Sequence, residues 1–222
     1  MEYLRPLIEL FSYHANADNA SAMQKYMRDH FVFYGIKAPR RKATTKLFIK
    51  QFGLPPAEKG FEFIQATWKH PQREMQYFGM ETIEKLVKKL PQEAFQQIIE
   101  HTTTHKSWWD TVDFVASHLA GKFFKAYPDQ IATVTTQWMA SDHMWLQRVC
   151  LLFQLNYKNQ TDKDLLFGFA KSLNKSEEFF IQKAIGWALR QYAKTAPDDV
   201  RQFVAEVPLA KLSKKEALKH LQ

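Results

Sequence analysis

The chain has 222 residues, 45% of them hydrophobic, and 31 Lys and Arg against 23 Asp and Glu give a formal net charge of +8. That length can bury a sizeable core as one domain or a modest repeat array, and a single domain over 1–222 is expected. Seven Gly and nine Pro are too few for the tight turns of an all-β fold, and the positive surplus favours an anionic partner such as nucleic acid or an anionic membrane surface. The single Cys150 lies in the apolar run Val149-Cys150-Leu151-Leu152-Phe153, which excludes an internal disulfide or a thiolate metal cluster. It reads as a buried small hydrophobe. Met1–Pro6 lacks the basic start and apolar run of a signal peptide, and no segment approaches the ~18 apolar residues of a membrane span. A cytoplasmic location is expected.

In chain order, apolar residues three and four apart predict helices over 21–33, 39–52, 56–68, 72–90, 92–101, 109–124, 130–140, 144–157, 163–173, 177–192 and 197–206. A short helix is expected after Ser213. Pro39, Pro71, Pro91, Pro128 and Pro197 stand at or near first turns, where a missing N–H costs little. Asp162, Ser176 and Ser213 are candidate N-caps. No sustained apolar–polar alternation with hairpin turns occurs, so the expected fold class is all-α.

Four of these helices carry related clusters that begin at Arg73, Trp109, Gln147 and Gln182, intervals of 36, 38 and 35 residues. A period near ~35–45 residues with two helices per unit is the mark of TPR and HEAT-like solenoids. Stacked helix pairs curve, and residues that recur at the same place in successive units then converge on one concave surface.

The chain has no Gly-rich phosphate loop, no Gly-x-Ser-x-Gly elbow and no Cys/His nucleophile pair. His101 and His105 are four apart, but the intervening Thr102-Thr103-Thr104 forms helix poorly and no third ligand is evident, so a solvated loop is expected and no metal. More informative is Lys106-Ser107-Trp108-Trp109-Asp110-Thr111-Val112-Asp113. With Ser107 as cap, Trp109 and Asp113 fall four apart on one helix face, while Asp110 suits the helix start. On residue types alone, both tryptophans can be core and both aspartates capping or solvated. Trp108 reads as core; for Trp109 beside an acid the question stays open.

This run resembles the signature of the AlkD family of DNA alkylation repair glycosylases. Trp145-Leu146-Gln147-Arg148, Phe153–Lys158 and Phe179–Tyr192 with its Ile185-Gly186-Trp187-Ala188-Leu189-Arg190 are similar too, as are Tyr34–Pro39 and Leu212–Ala217, so the likeness spans most of the chain. The resemblance implies a C-shaped, curved α-solenoid of HEAT-like helical repeats that holds DNA in its concave groove. It places the functional positions at Trp109, Asp113, Arg148 and Trp187, and the chain departs from the family pattern at none of them.

The expected function is hydrolysis of the N-glycosidic bond of cationic N3- or N7-alkylated purines in duplex DNA, by a monomer without a cofactor. The family is taken to act without drawing the base into a pocket. A cationic base is already a good leaving group, so the enzyme's task is to stabilise the oxocarbenium-like sugar. Asp113 would do so electrostatically and orient water, with the faces of Trp109 and Trp187 against the charged sugar. Arg148 is expected to grip phosphate as a fork. No second carboxylic acid is evident at the site, in keeping with a leaving group that needs no general acid. Arg40, Arg41 and Lys42, and Lys183, Arg190 and Lys194 at helical intervals, are candidate phosphate contacts; for the first three a solvated face is the alternative. Two other classes share these features in part: a non-catalytic HEAT-like module that binds damaged or distorted DNA, and an α-solenoid protein scaffold, which leaves Asp113 beside Trp109 unexplained.

Overall fold

The computed structural model describes residues 2–221 and is helical nearly throughout. The chain divides into two compact units, Met1–Lys106 and Ser107–Gln222. The first contains α1 (Arg5–Tyr13), α2 (Ala17–Tyr26), α3 (Ala38–Phe52), α4 (Gly60–Lys69), α5 (Arg73–Leu86) and α6 (Gln92–Thr104). Helix α4 packs against both α5 and α6, and α3 against α1. Phe48, Phe63 and Phe78 form an edge-to-face cluster in this core, with centroids 5.7 and 5.8 Å apart.

Two sequence expectations shift in this unit. The helix expected over 21–33 starts earlier, because Asn16 caps α2 by accepting from the Asn19 N–H at 2.8 Å. It also stops earlier, at Tyr26, since Arg28 and Asp29 adopt left-handed backbone with φ of 53° and 58°. The expected loop at His101–His105 is largely helix instead. Thr102 and Thr104 donate their hydroxyls back to the carbonyls of Ile98 and Glu100 at 2.7 and 2.8 Å, which lets threonines finish α6. The His101 and His105 rings stack at 4.3 Å, and among the described residues no group of three or more His, Cys, Asp or Glu could hold a metal.

The second unit contains α7 (Trp109–Phe114), a π-helical turn (Val115–Ala120), α8 (Gly121–Ala126), α9 (Gln130–Ala140) and α10 (Met144–Leu152). It continues with α11 (Lys163–Ser172), α12 (Phe179–Tyr192), α13 (Pro197–Glu206) and α14 (Lys211–Ala217). Helix α10 is the hub, packed against α7, α9, α11 and α12. Its Val149, Cys150, Leu151 and Leu152 are buried, and the following Phe153 meets Phe124 edge-on at 4.7 Å. Asp162 caps α11 as expected, accepting from the Leu165 N–H at 3.0 Å. Ser176 lies before the start of α12, and Ser213 sits inside α14, buried, with its hydroxyl donated to the Gln182 carbonyl at 2.9 Å.

The tightest helix pair is α12 against α14, and Gly186 makes it possible. A Cβ at that position would lie 2.4 Å from the Glu216 Cβ and 2.9 Å from the Ser213 carbonyl oxygen, both fixed by a helix rather than by a flexible tip. Glycine in mid-helix costs roughly 1 kcal/mol relative to alanine, so propensity alone favours Gly186→Ala. Overpacking should reverse that sign. Gly186→Ala is expected to destabilise by about 1–3 kcal/mol, read as a lower denaturation midpoint at unchanged slope.

Candidate active site

Helix α7 begins after Trp108, whose extended backbone (φ −157°, ψ 162°) makes it the N-cap in place of the expected Ser107. From that start Thr111 and Val112 turn into the core, which leaves Trp109 and Asp113 together on the other face. Trp108 packs edge-on against Phe180 and Trp145, with centroids 5.1 and 5.8 Å apart, in an aromatic layer behind the site. The π-helical turn that follows α7 was not legible in the periodicity. The Ser117 hydroxyl donates to the Asp113 carbonyl at 2.7 Å within it, and such turns re-aim the side chains around them.

Helix α12 supplies the opposite wall because it carries two stripes. Ile181, Ala184, Ile185, Ala188 and Leu189 are buried, whereas Lys183, Trp187 and Arg190, four and then three residues apart, share another face. These three line an open cavity of about 310 Å³ with Trp109, Asp113, Arg148, Phe179, Phe180 and Glu216. A second cavity of about 340 Å³ shares Asp113 and Trp187 with the first and is of mixed character, lined by Ser117, His118, Asn156 and Gln191 with Phe114 and Leu155. Asp113 and Trp187 therefore stand where the two cavities meet.

The carboxylate of Asp113 is held on both oxygens. Arg148 Nε donates to Oδ1 at 2.8 Å and Nη2 to Oδ2 at 3.0 Å, a bidentate fork from α10. The third arm, Nη1, donates to the Phe180 carbonyl, which ties α7, α10 and the start of α12 together. Arg148 itself is only 4% exposed. Its placement differs from the expected phosphate grip: Nε, Nη1 and Nη2 all serve protein acceptors, and the carboxylate is what the fork grips. Burial pushes the Asp113 carboxyl above its ordinary range, against the hydrogen bonds and charge of Arg148, and Asp110 adds to the rise.

Glu216 is the residue that reading the sequence missed. It reaches across from α14, donated to by Lys183 Nζ at 2.9 Å on one oxygen and by Arg190 Nη1 on the other. The Lys183 hydrogen bond holds its carboxyl below the usual range despite partial burial, with help from Arg190. A second carboxylate thus lines the cavity, contrary to expectation, but as an anion and not as an acid. The signal was present as a glycine in mid-helix at Gly186, facing a segment with one acidic residue among lysines.

The other expected basic contacts are distributed unevenly. Arg40 and Lys42 are exposed on α3, whereas Arg41 is buried, paired with Glu81 at 2.7 and 3.0 Å and stacked over Tyr77 at 5.0 Å. Lys194 lies beyond the end of α12 and donates to Gln191 at 2.8 Å, away from the first cavity.

The chain that sets this forked Arg–carboxylate pair in one cavity with two tryptophans and two further cations matches known proteins along most of its length. The model of the DNA alkylation repair enzyme family matches residues 7–221, and the chain belongs to that family. Among solved structures, a predicted DNA alkylation repair enzyme from Enterococcus faecalis is 34% identical with a TM-score of 0.86, over 93% of this chain and 96% of that one. No curated protein matches the chain. The family assigns it to DNA alkylation repair. No helix of the described residues is long and apolar enough to cross a membrane.

Proposed function

We propose that the chain is a DNA glycosylase that hydrolyses the N-glycosidic bond of cationic N3- or N7-alkylated purines in duplex DNA. The observation that carries this reading is the Asp113 carboxylate, partly buried, forked by Arg148 and set in one cavity with Trp109 and Trp187. As the bond to a cationic base breaks, positive charge develops on the deoxyribose. A carboxylate fixed in advance in a partly desolvated wall stabilises that charge without reorganising, and can hold the attacking water. The two indole faces add ~0.5–2 kcal/mol each as cation–π partners of the sugar. Water would approach from the second cavity, where Ser117, His118, Asn156 and Gln191 lie near Asp113.

The same geometry argues against neutral lesions. A neutral base must be protonated as it leaves, and Glu216 is kept ionised by two cations. Because the cavity is open, the sugar can reach Asp113 while the base stays outside, which dispenses with a base-binding pocket.

The test is base release from duplexes containing N7-methylguanine, uracil or hypoxanthine. Catalytic release of N7-methylguanine with little release of the neutral bases is expected. DNA binding without any release would make the chain a recognition module, and robust uracil or hypoxanthine release would overturn the mechanism.

A further inference from the structure

Glu216 has a place in the site beyond lining it. Its position is set by packing: Gly186 admits α14 so closely that a Cβ there would stand 2.4 Å from that of Glu216, and buried Ser213 is hydrogen-bonded to the Gln182 carbonyl at 2.9 Å. This packing fixes where the Glu216 side chain starts, and two cations hold its far end. It engages one donor nitrogen from each of Lys183 and Arg190, two long side chains seven residues apart on α12. Both cations line the cavity that holds Asp113, and the trio keeps a net charge of +1.

We propose that Glu216 is a positioning residue that fixes Lys183 and Arg190 as a two-cation phosphate grip at the mouth of the cavity holding Asp113. The proposal rests on the DNA-binding part of the function proposed above. Lysine and arginine left to themselves sample many rotamers, and ordering them on binding weakens the complex. A buttressing carboxylate orders them in the folded protein and leaves further N–H donors on both for a second anion. The grip then sets the strand in register, so that a sugar arrives against Asp113.

A bystander role predicts the opposite sign. A carboxylate that merely sat near DNA would repel it, and removing its charge would tighten binding. The measurement is the dissociation constant for an undamaged fluorescent duplex as a function of NaCl, with the full chain and with Glu216→Gln, whose side chain has nearly the same size. Glu216→Gln is expected to weaken binding on the order of tenfold at low salt. It should also flatten the log–log salt slope by about one to two, the loss of one or two phosphate contacts. In a Lys183→Ala/Arg190→Ala background the same substitution should cause no further loss and should tighten binding slightly, since it then removes only an anion that repels phosphate; an equal loss there would mean that it acts through the fold, and would overturn the proposal. Unchanged or tighter binding by Glu216→Gln overturns the positioning role alone. Absence of salt-dependent binding by the native chain overturns the DNA reading and this proposal with it.

Discussion

Asp113→Asn is expected to slow release of N7-methylguanine from duplex DNA by about 100- to 1000-fold while DNA affinity changes by no more than a few-fold. The size follows from what the carboxylate does. A fixed charge or donor aimed at charge that develops only in the transition state accounts for about that factor, and Asn keeps the shape without the charge. Affinity is spared because Asp113 is itself an anion and no partner for phosphate. A pH profile of the native protein supplies an independent check. In the proposed mechanism the ionised carboxylate is the active form, and burial raises its pKa above the ordinary value of 3.8. Enzymatic release should therefore be full above that raised pKa and fall away as pH drops through it, at higher pH than an ordinary aspartate would give. For stability the sign is opposite: a carboxyl whose pKa is raised by folding stabilises the fold fully below its unfolded pKa, and that contribution is lost as pH rises through the folded one. On that sign the ionised Asp113 lowers the stability of the neutral-pH fold. An acid limb in the ordinary carboxylate range, or unimpaired release by Asp113→Asn, would remove Asp113 from the mechanism.

Much of this site was readable from residue spacing. Trp109 and Asp113 share a face because four residues make about one helical turn, and Lys183 and Arg190 meet Trp187 for the same reason. What spacing does not encode is which partner a charged side chain finds across helices. Arg148 and Lys183 look alike in the sequence as basic residues on amphipathic helices. One is buried on the hub helix α10 and closes on Asp113, and the other reaches the cavity beside Glu216. Likewise Arg40, Arg41 and Lys42 form one basic run, yet the middle residue turns inward to Glu81, forty positions away. The helix limits failed where local chemistry overrode periodicity. Left-handed residues ended α2, back-bonded threonines extended α6, and the π-helical turn after Phe114 has no signature in an apolar pattern. The family likeness supplied the candidate positions Trp109, Asp113, Arg148 and Trp187, but Glu216 needed coordinates, because its place depends on how closely α14 approaches Gly186.

Arg148→Met should destabilise the protein by about 3–5 kcal/mol and lower the melting temperature on the order of 10 °C. The guanidinium is nearly inaccessible and hydrogen-bonds both oxygens of Asp113 as well as the Phe180 carbonyl. Removing it leaves a partly buried carboxylate without its forked partner and a carbonyl with one partner fewer, a costly way to disturb such a pair. Arg148→Lys should recover only part of the loss, since a single ammonium cannot reproduce the fork that spans Oδ1, Oδ2 and the carbonyl. The double variant Arg148→Met/Asp113→Leu decides between roles. If the pair acts chiefly within the fold, removing both charges should restore most of the stability, because no ion is left uncompensated, while base release stays abolished. If Arg148 instead serves phosphate, Arg148→Met would weaken DNA binding and flatten its salt slope with little change in melting temperature. Thermal unfolding of the three variants beside one salt titration separates the two cases. The geometry favours the first, in which the arginine sets the orientation of Asp113, the carboxylate proposed to meet the sugar.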